Sequence, residues 1–346
     1  MAMPDEIARL RHADYLIWAV IAAVALIVGA AGTVGPFHID LPSYLRVASA
    51  CILMVAIAGF YSRFRPDPKL ASALTGTAQL AAFAAVGAPL SYIAASAGLP
   101  LWDDALVIWD RSLGFDWMAW LAAMDAHPTL HLAFRFAYLS FTVQATITIL
   151  ALAFTHHLTR LRIFIFGFML ATFVTIAISA LMPAQGVWGQ LHLATNNYPN
   201  IDPATQSLHL AVFHGLRDGS FRTLMGLGSE GIITFPSLHA ALGLLFMVAV
   251  WPLRYLRWVM IALNLLMIGA TPIDGGHYFS DVIAGLAIAA LCWWAATRCV
   301  DRRYLATASD ISSADAPSII PDTETARDYA GEPLPQPDSR QPLKAT

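Results

Sequence analysis

Eight stretches of this chain are long and apolar enough to cross a lipid bilayer, at about residues 15–35, 44–62, 71–97, 130–154, 161–183, 236–252, 256–272 and 277–299. Few folds are open to such a chain. Hydrocarbon offers no partner to backbone N–H and C=O groups, so a spanning segment must satisfy them internally, and runs of this length do so as helices. The expected fold is all-α, a polytopic transmembrane bundle of about eight helices. The runs near 236 and 256 are the shortest, about 17 residues each, and a hairpin buried at the interface competes with spanning there. The first run is too long for a signal-peptide core and lacks a small-residue cleavage site, so it reads as a retained helix.

Composition agrees with lipid as the solvent: 58% of the 346 residues are hydrophobic and 12% charged, with a mean hydropathy of +0.60. A soluble domain carries about twice that charged share. Seven of the acids and three of the bases fall between Tyr304 and Thr346, and the balance in the remainder is too even for a nucleic-acid-binding surface. Cys51, Cys292 and Cys299 lie in or beside apolar runs without paired or metal-ligand spacing, which excludes a disulfide scaffold.

Arginines and lysines cluster at 9 and 11, at 63, 65 and 69, at 160 and 162, at 254 and 257, and at 298, 302 and 303. With eight helices these are all one side, which the positive-inside rule makes cytoplasmic, with both termini inside. Short loops and the absence of a sorting signal suggest a bacterial inner membrane. The organisation expected is two N-terminal helices over 1–70, a core over 71–300 with outer loops 98–129 and 184–235, and a disordered cytoplasmic tail over 301–346, rich in Pro, Asp, Ser and Thr.

In the first outer loop Trp102, Trp109, Trp117 and Trp120 alternate with acids at helical spacing. That pattern reads as an interfacial helix, or as an element that admits a lipid. The second loop is polar, and its irregularly spaced His192, His209 and His214 read as surface residues.

Two clusters at the outer ends of helices carry the chemistry. Phe235-Pro236-Ser237-Leu238-His239 opens the sixth helix, with Ser237 able to cap it. Gly275-Gly276-His277-Tyr278-Phe279-Ser280-Asp281 opens the eighth, with His277 and Asp281 one turn apart on one face. Asp281 can fix the imidazole tautomer and leave the other nitrogen basic. A helix inward and a helix outward bring His239 to the same membrane face, where two helix N-termini would offer an anion site. Zinc ligation by His239, His277 and Asp281 suits the ligand types but lacks a dedicated motif, so no metal or cofactor is expected.

The pattern P-S-x-H followed about 38 residues later by H-x3-D resembles the type-2 phosphatidic acid phosphatase superfamily, and its spelling is similar to the branch containing inositol phosphorylceramide synthases. The resemblance implies a six-helix core and a reaction in which His277 attacks phosphorus, Asp281 orients it and His239 protonates the leaving oxygen. Ser237 and Gly276, within the motifs, join the candidate phosphate-binding residues. Two cations of the phosphatase pattern are missing: the fifth helix ends Ala180-Leu181-Met182-Pro183-Ala184, and Thr271 stands where an arginine is expected. Arg217, Arg222 and Arg135 are the candidate replacements. Asp274 is a candidate for a headgroup or acceptor hydroxyl, or for a helix cap. Tyr138, Ser140 and Gln144 either line the cavity or bond between helices.

The sequence thus points to a membrane enzyme acting on the phosphoester of a bilayer lipid at the non-cytoplasmic interface. Headgroup transfer is favoured over a lipid phosphate phosphatase, because a diester needs fewer cations than a monoester. The competing class is a transporter or an assembly scaffold in which His239, His277 and Asp281 form a proton relay or a structural knot.

Overall fold

The computed structural model describes residues 4–194, 197–204 and 206–314. The chain divides into a unit of residues 1–304 and a unit of residues 305–346. In order, the elements are α1 (Pro4–Thr33), β1 (His38–Asp40), α2 (Leu41–Arg63), α3 (Pro68–Ala95), α4 (Asp103–Ser112), α5 (Trp117–Asp125), α6 (Pro128–Leu139), α7 (Phe141–Phe154), α8 (Leu158–Leu181), α9 (Val187–Gln190), α10 (Gln206–Asp218), β2 (Thr223–Met225), α11 (Leu238–Ala249), α12 (Leu256–Asp274) and α13 (Phe279–Ala314). This is the all-α membrane bundle that the apolar runs predict.

Among the described residues six helices, α1, α2, α3, α8, α12 and α13, are long and apolar enough to cross a membrane. Each of the eight predicted runs holds a helix, but two depart from a simple span. The fourth is broken into α6 and α7, which meet at an angle of 54° around Ser140. The sixth is only the 12-residue α11, about 18 Å long at ~1.5 Å per residue and short of a bilayer core. Arg160 closes its far end by donating to the carbonyl oxygens of Ala249, at 2.7 Å, and of Val248. α13 runs to Ala314; residues 315–346, most of the tail expected to be disordered, lie outside the described residues.

α8 forms the centre of the bundle. It is apolar all round, and Leu161, Phe164, Ile165 and Met169 are fully enclosed by neighbours that include Phe83, Leu152 and Phe246. A helix hydrophobic on every side belongs inside. α1 and α2 instead expose apolar side chains such as Leu26 and Ile52, as lipid-facing helices do. Close approach depends on small residues: Gly76 lies against Ile165 and Gly243 against Met267. β1 and β2 pair in parallel, with Ile39 opposite Leu224, which ties the α1–α2 connection to the segment after α10.

Arg162, expected as an orienting loop cation, is instead buried in the first turns of α8. It donates to both carboxylate oxygens of Asp14 on α1, at 3.1 and 3.0 Å, and Gln79 of α3 donates to the same carboxylate at 3.0 Å. Removing one partner leaves a buried charge unpaired, so Asp14→Ala is expected to destabilise the bundle by about 2–4 kcal/mol. Thermal unfolding in detergent checks this. Asp14→Ala combined with Arg162→Met should recover most of the loss, and a double variant no more stable than the single one would refute the ion-pair account.

Candidate active site

The turn between α12 and α13 places His277. Its two glycines are required by space: Gly276 has φ +66°, and a Cβ there would lie 3.0 Å from Trp188 Cδ1. The turn is held on every side. The carbonyl of Thr271 accepts from the amides of Gly275 and His277, at 3.0 and 3.4 Å. Gly276 O accepts from Val187 N at 2.9 Å, Trp117 Nε1 donates to His277 O at 3.2 Å and Trp188 Nε1 to Ile273 O at 2.8 Å.

His277 and Asp281 meet, with Nδ1 3.2 Å from Oδ2, although α13 begins only at Phe279 and His277 therefore reaches Asp281 from the preceding turn rather than along one helix face. The same oxygen accepts from Tyr278 N at 3.0 Å. Burial pulls the His277 pKa down to about 4, against an opposing pull from the Thr234 carbonyl. The ring is therefore neutral near pH 7 and keeps a nucleophilic lone pair. Its Nε2 borders the small space above Gly275, which the Tyr138 hydroxyl also borders.

His239 arrives from α11. Ser237 caps that helix, its Oγ accepting from Ala240 N at 3.3 Å, while its own amide donates to Asp281 O at 3.0 Å. The two helix starts touch here, since a Cβ on Gly285 would lie 2.2 Å from Ser237 O. Two residues on, the His239 ring is stacked on Tyr138 (4.1 Å, 19°) and flanked by Phe141 at 5.3 Å. These aromatics stand on either side of the α6–α7 break, three residues apart, and both reach the His239 ring. His239 interacts electrostatically with His277.

The open anion site expected at the converging helix N-termini is not what forms at α13. Asp110 of α4 accepts from the amides of Phe279 and Ser280, both at 2.8 Å. Asp103 of α4 accepts from the Tyr278 hydroxyl at 2.9 Å and from the amides of Gly186 and Gln185, at 3.0 and 3.1 Å. Burial pushes the Asp103 carboxyl above the usual carboxylate range, more than these donors pull it down. Of the four tryptophans expected at the interface, Trp102 and Trp109 are exposed and Trp117 is buried against the His277 turn.

The candidate cations are engaged elsewhere. Arg217, in the last turn of α10, donates to Leu99 O at 2.8 Å and lies over the Phe213 ring. Arg222 donates to Leu216 O and lies over Phe37. Arg135 pairs with Asp202. Asp274 is buried as the last residue of α12, 3.6 Å from His131 Nε2, so it stands neither on a loop nor as a cap of α13. Thr271 turns its hydroxyl back to Ile268 O at 2.6 Å. Ser140 and Gln144 form an interhelical network, in which Gln144 donates to Ser140 Oγ at 2.9 Å and accepts from Asn264 at 2.7 Å.

His209 corrects the surface reading given to the loop histidines. It lines a cavity with Tyr92, Phe221, Glu230 and Ile232 and interacts electrostatically with both His277 and His239. Burial and the neighbouring His277 bring its pKa down to about 4. The signal was present in the spacing: His209, Val212, Phe213 and Leu216 form one face of α10, a helix inside a segment read as polar loop.

A family model described as the PAP2 superfamily matches residues 104–295, more than half of the chain, from within α4 into the membrane-crossing part of α13. No curated protein and no solved structure matches.

Proposed function

The chain belongs to the PAP2 superfamily, and from that premise we propose that it transfers the phosphate-linked headgroup of a membrane lipid to an acceptor hydroxyl through a phosphohistidine. At the coarser level the family makes it a lipid phosphoesterase of the phosphatase type. The observation that carries the finer reading is the buried His277–Asp281 pair at 3.2 Å with His239 held beside it.

In the first step His277 Nε2 attacks phosphorus in line. The N–P bond forms as the P–O bond to the leaving group breaks, and His239, which must enter the step as the imidazolium, gives that oxygen a proton and is left neutral. In the second step His239 takes the proton from the acceptor hydroxyl, whose oxygen bonds phosphorus as the N–P bond breaks. Asp281 keeps the imidazole oriented and balances its charge while it is phosphorylated. No step calls for a metal.

Two features favour a phosphodiester over a phosphate monoester. Arg135, Arg217 and Arg222 all have other partners, and three carboxylates, Asp103, Asp110 and Asp281, act on one another around the His277 turn. A dianion meets more repulsion there than a monoanionic diester does. The inner side of the bundle is taken as cytoplasmic and the histidine end as non-cytoplasmic, from the arginine pattern of the loops.

Purified protein incubated with phosphatidic acid, with undecaprenyl pyrophosphate, and with phosphatidylinositol plus ceramide tests the assignment. The expected product is a transferred headgroup from the diester, with little free phosphate. Rapid phosphate release from phosphatidic acid alone would replace transfer by hydrolysis, the second reading that family membership supports.

A further inference from the structure

α4 has two unlike faces. Trp102, Ile108 and Trp109 are exposed, whereas Asp103, Leu106 and Asp110, spaced i, i+3 and i+7, are buried. Two buried carboxylates on one short helix are costly unless strong donors meet them. All of those donors come from the segments that build the His277 turn. Asp110 takes both amides that open α13, Phe279 and Ser280, and so caps a helix 169 residues away in sequence. Asp103 takes the Tyr278 hydroxyl and the two amides that precede α9. Phe115, just after α4, stacks on Phe279 at 4.5 Å and 11°. The three residues that follow His277 are thereby fixed from outside their own hairpin.

The turn needs that restraint. Gly275 and Gly276 precede His277 directly, and two glycines leave a backbone free to take many conformations. A nucleophile on such a turn is aimed by the contacts on both sides of it, those of Thr271, Val187 and Trp117 before and at His277 and those of α4 after it.

We infer that Asp110 is a positioning residue for phosphoryl transfer, acting through the first turn of α13 to set the His277–Asp281 geometry, with Asp103 as its support. The inference rests on the reading of His277 as nucleophile.

The test compares wild type, Asp110→Asn and Asp110→Ala in mixed micelles with phosphatidylinositol or phosphatidic acid as substrate. Asparagine keeps the shape and one acceptor oxygen, so that variant folds even where alanine does not. For Asp110→Asn, kcat is expected to fall about 10- to 100-fold, the usual cost of a misplaced reacting group, with KM within about two-fold of wild type. Alanine should lose more than asparagine. Amide hydrogen exchange across residues 277–281 should quicken while that of α12 stays as in wild type. A variant with a lowered melting temperature but wild-type kcat per folded molecule would make Asp110 merely structural and overturn the inference, as would unchanged exchange across 277–281. If wild type turns over neither lipid, the catalytic reading itself fails, and exchange then decides separately whether Asp110 holds the turn.

Discussion

Replacing His277 by alanine is expected to lower turnover of any lipid phosphoester by at least about 10³-fold, because it removes the atom that bonds phosphorus rather than a group that assists. Folding should survive. The turn is held through backbone atoms that the substitution leaves in place, namely the His277 carbonyl bonded by Trp117 and the His277 amide bonded to Thr271. Wild type quenched during turnover of labelled substrate should carry an acid-labile, base-stable phosphoryl group, and the variant none. Since burial brings the His277 pKa down to about 4, the ring is neutral above that pH and protonated below it. Activity limited by His277 should therefore be flat from about pH 6 to 8 and fall as pH drops through about 4. A wild type that turns over substrate without ever carrying the label, or a His277→Ala variant that keeps its activity, would exclude the covalent mechanism.

What could be read in advance follows from how far each signal extends along the chain. The His277–Asp281 pair is local: His277, two residues before α13, and Asp281, in its first turn, are only four residues apart. His239 needed one more step, the count of one helix in and one helix out, and the hairpin of α11 and α12 supplies it. Hydropathy located the spans because it integrates over about 20 residues, but for the same reason it could not see the α6–α7 break, which no proline or glycine marks. Tyr138 and Phe141, which flank it, both contact His239.

Asp103 and Asp110 went unnamed among the acids of the first outer loop, because an acid on an amphipathic helix is ordinarily a solvated one. Nothing within α4 says that its polar face meets the amides of a turn about 170 residues later. The arginines failed in the opposite sense. Position on the expected outer side made Arg217 and Arg222 candidates for phosphate, yet carbonyls freed at helix and loop ends need donors too, and Leu99 and Leu216 claim them. Charge scarcity in such a chain therefore marks structural closures as well as sites.

His239 gives the second large effect, and one that separates proton transfer from packing. As general acid it neutralises the leaving oxygen, so its removal should cost about 10²- to 10⁴-fold on a lipid ester, whose alkoxide is a poor leaving group. On an aryl phosphodiester such as bis(p-nitrophenyl) phosphate the leaving phenolate needs little protonation, and His239→Ala should cost at least ten-fold less there. A histidine that merely fills space between Tyr138 and Phe141 predicts equal losses on both substrates, because a collapsed aromatic stack would displace His277 whatever the leaving group. Tyr138→Phe and Tyr138→Leu refine the comparison. Phenylalanine keeps the stacked face at 4.1 Å and leucine does not, so only the leucine variant should lose activity in the leaving-group-dependent manner of His239→Ala. Should phenylalanine lose as much as leucine, the hydroxyl beside His277 Nε2 would be the part of Tyr138 that matters, and proton delivery would run through Tyr138 as well as His239.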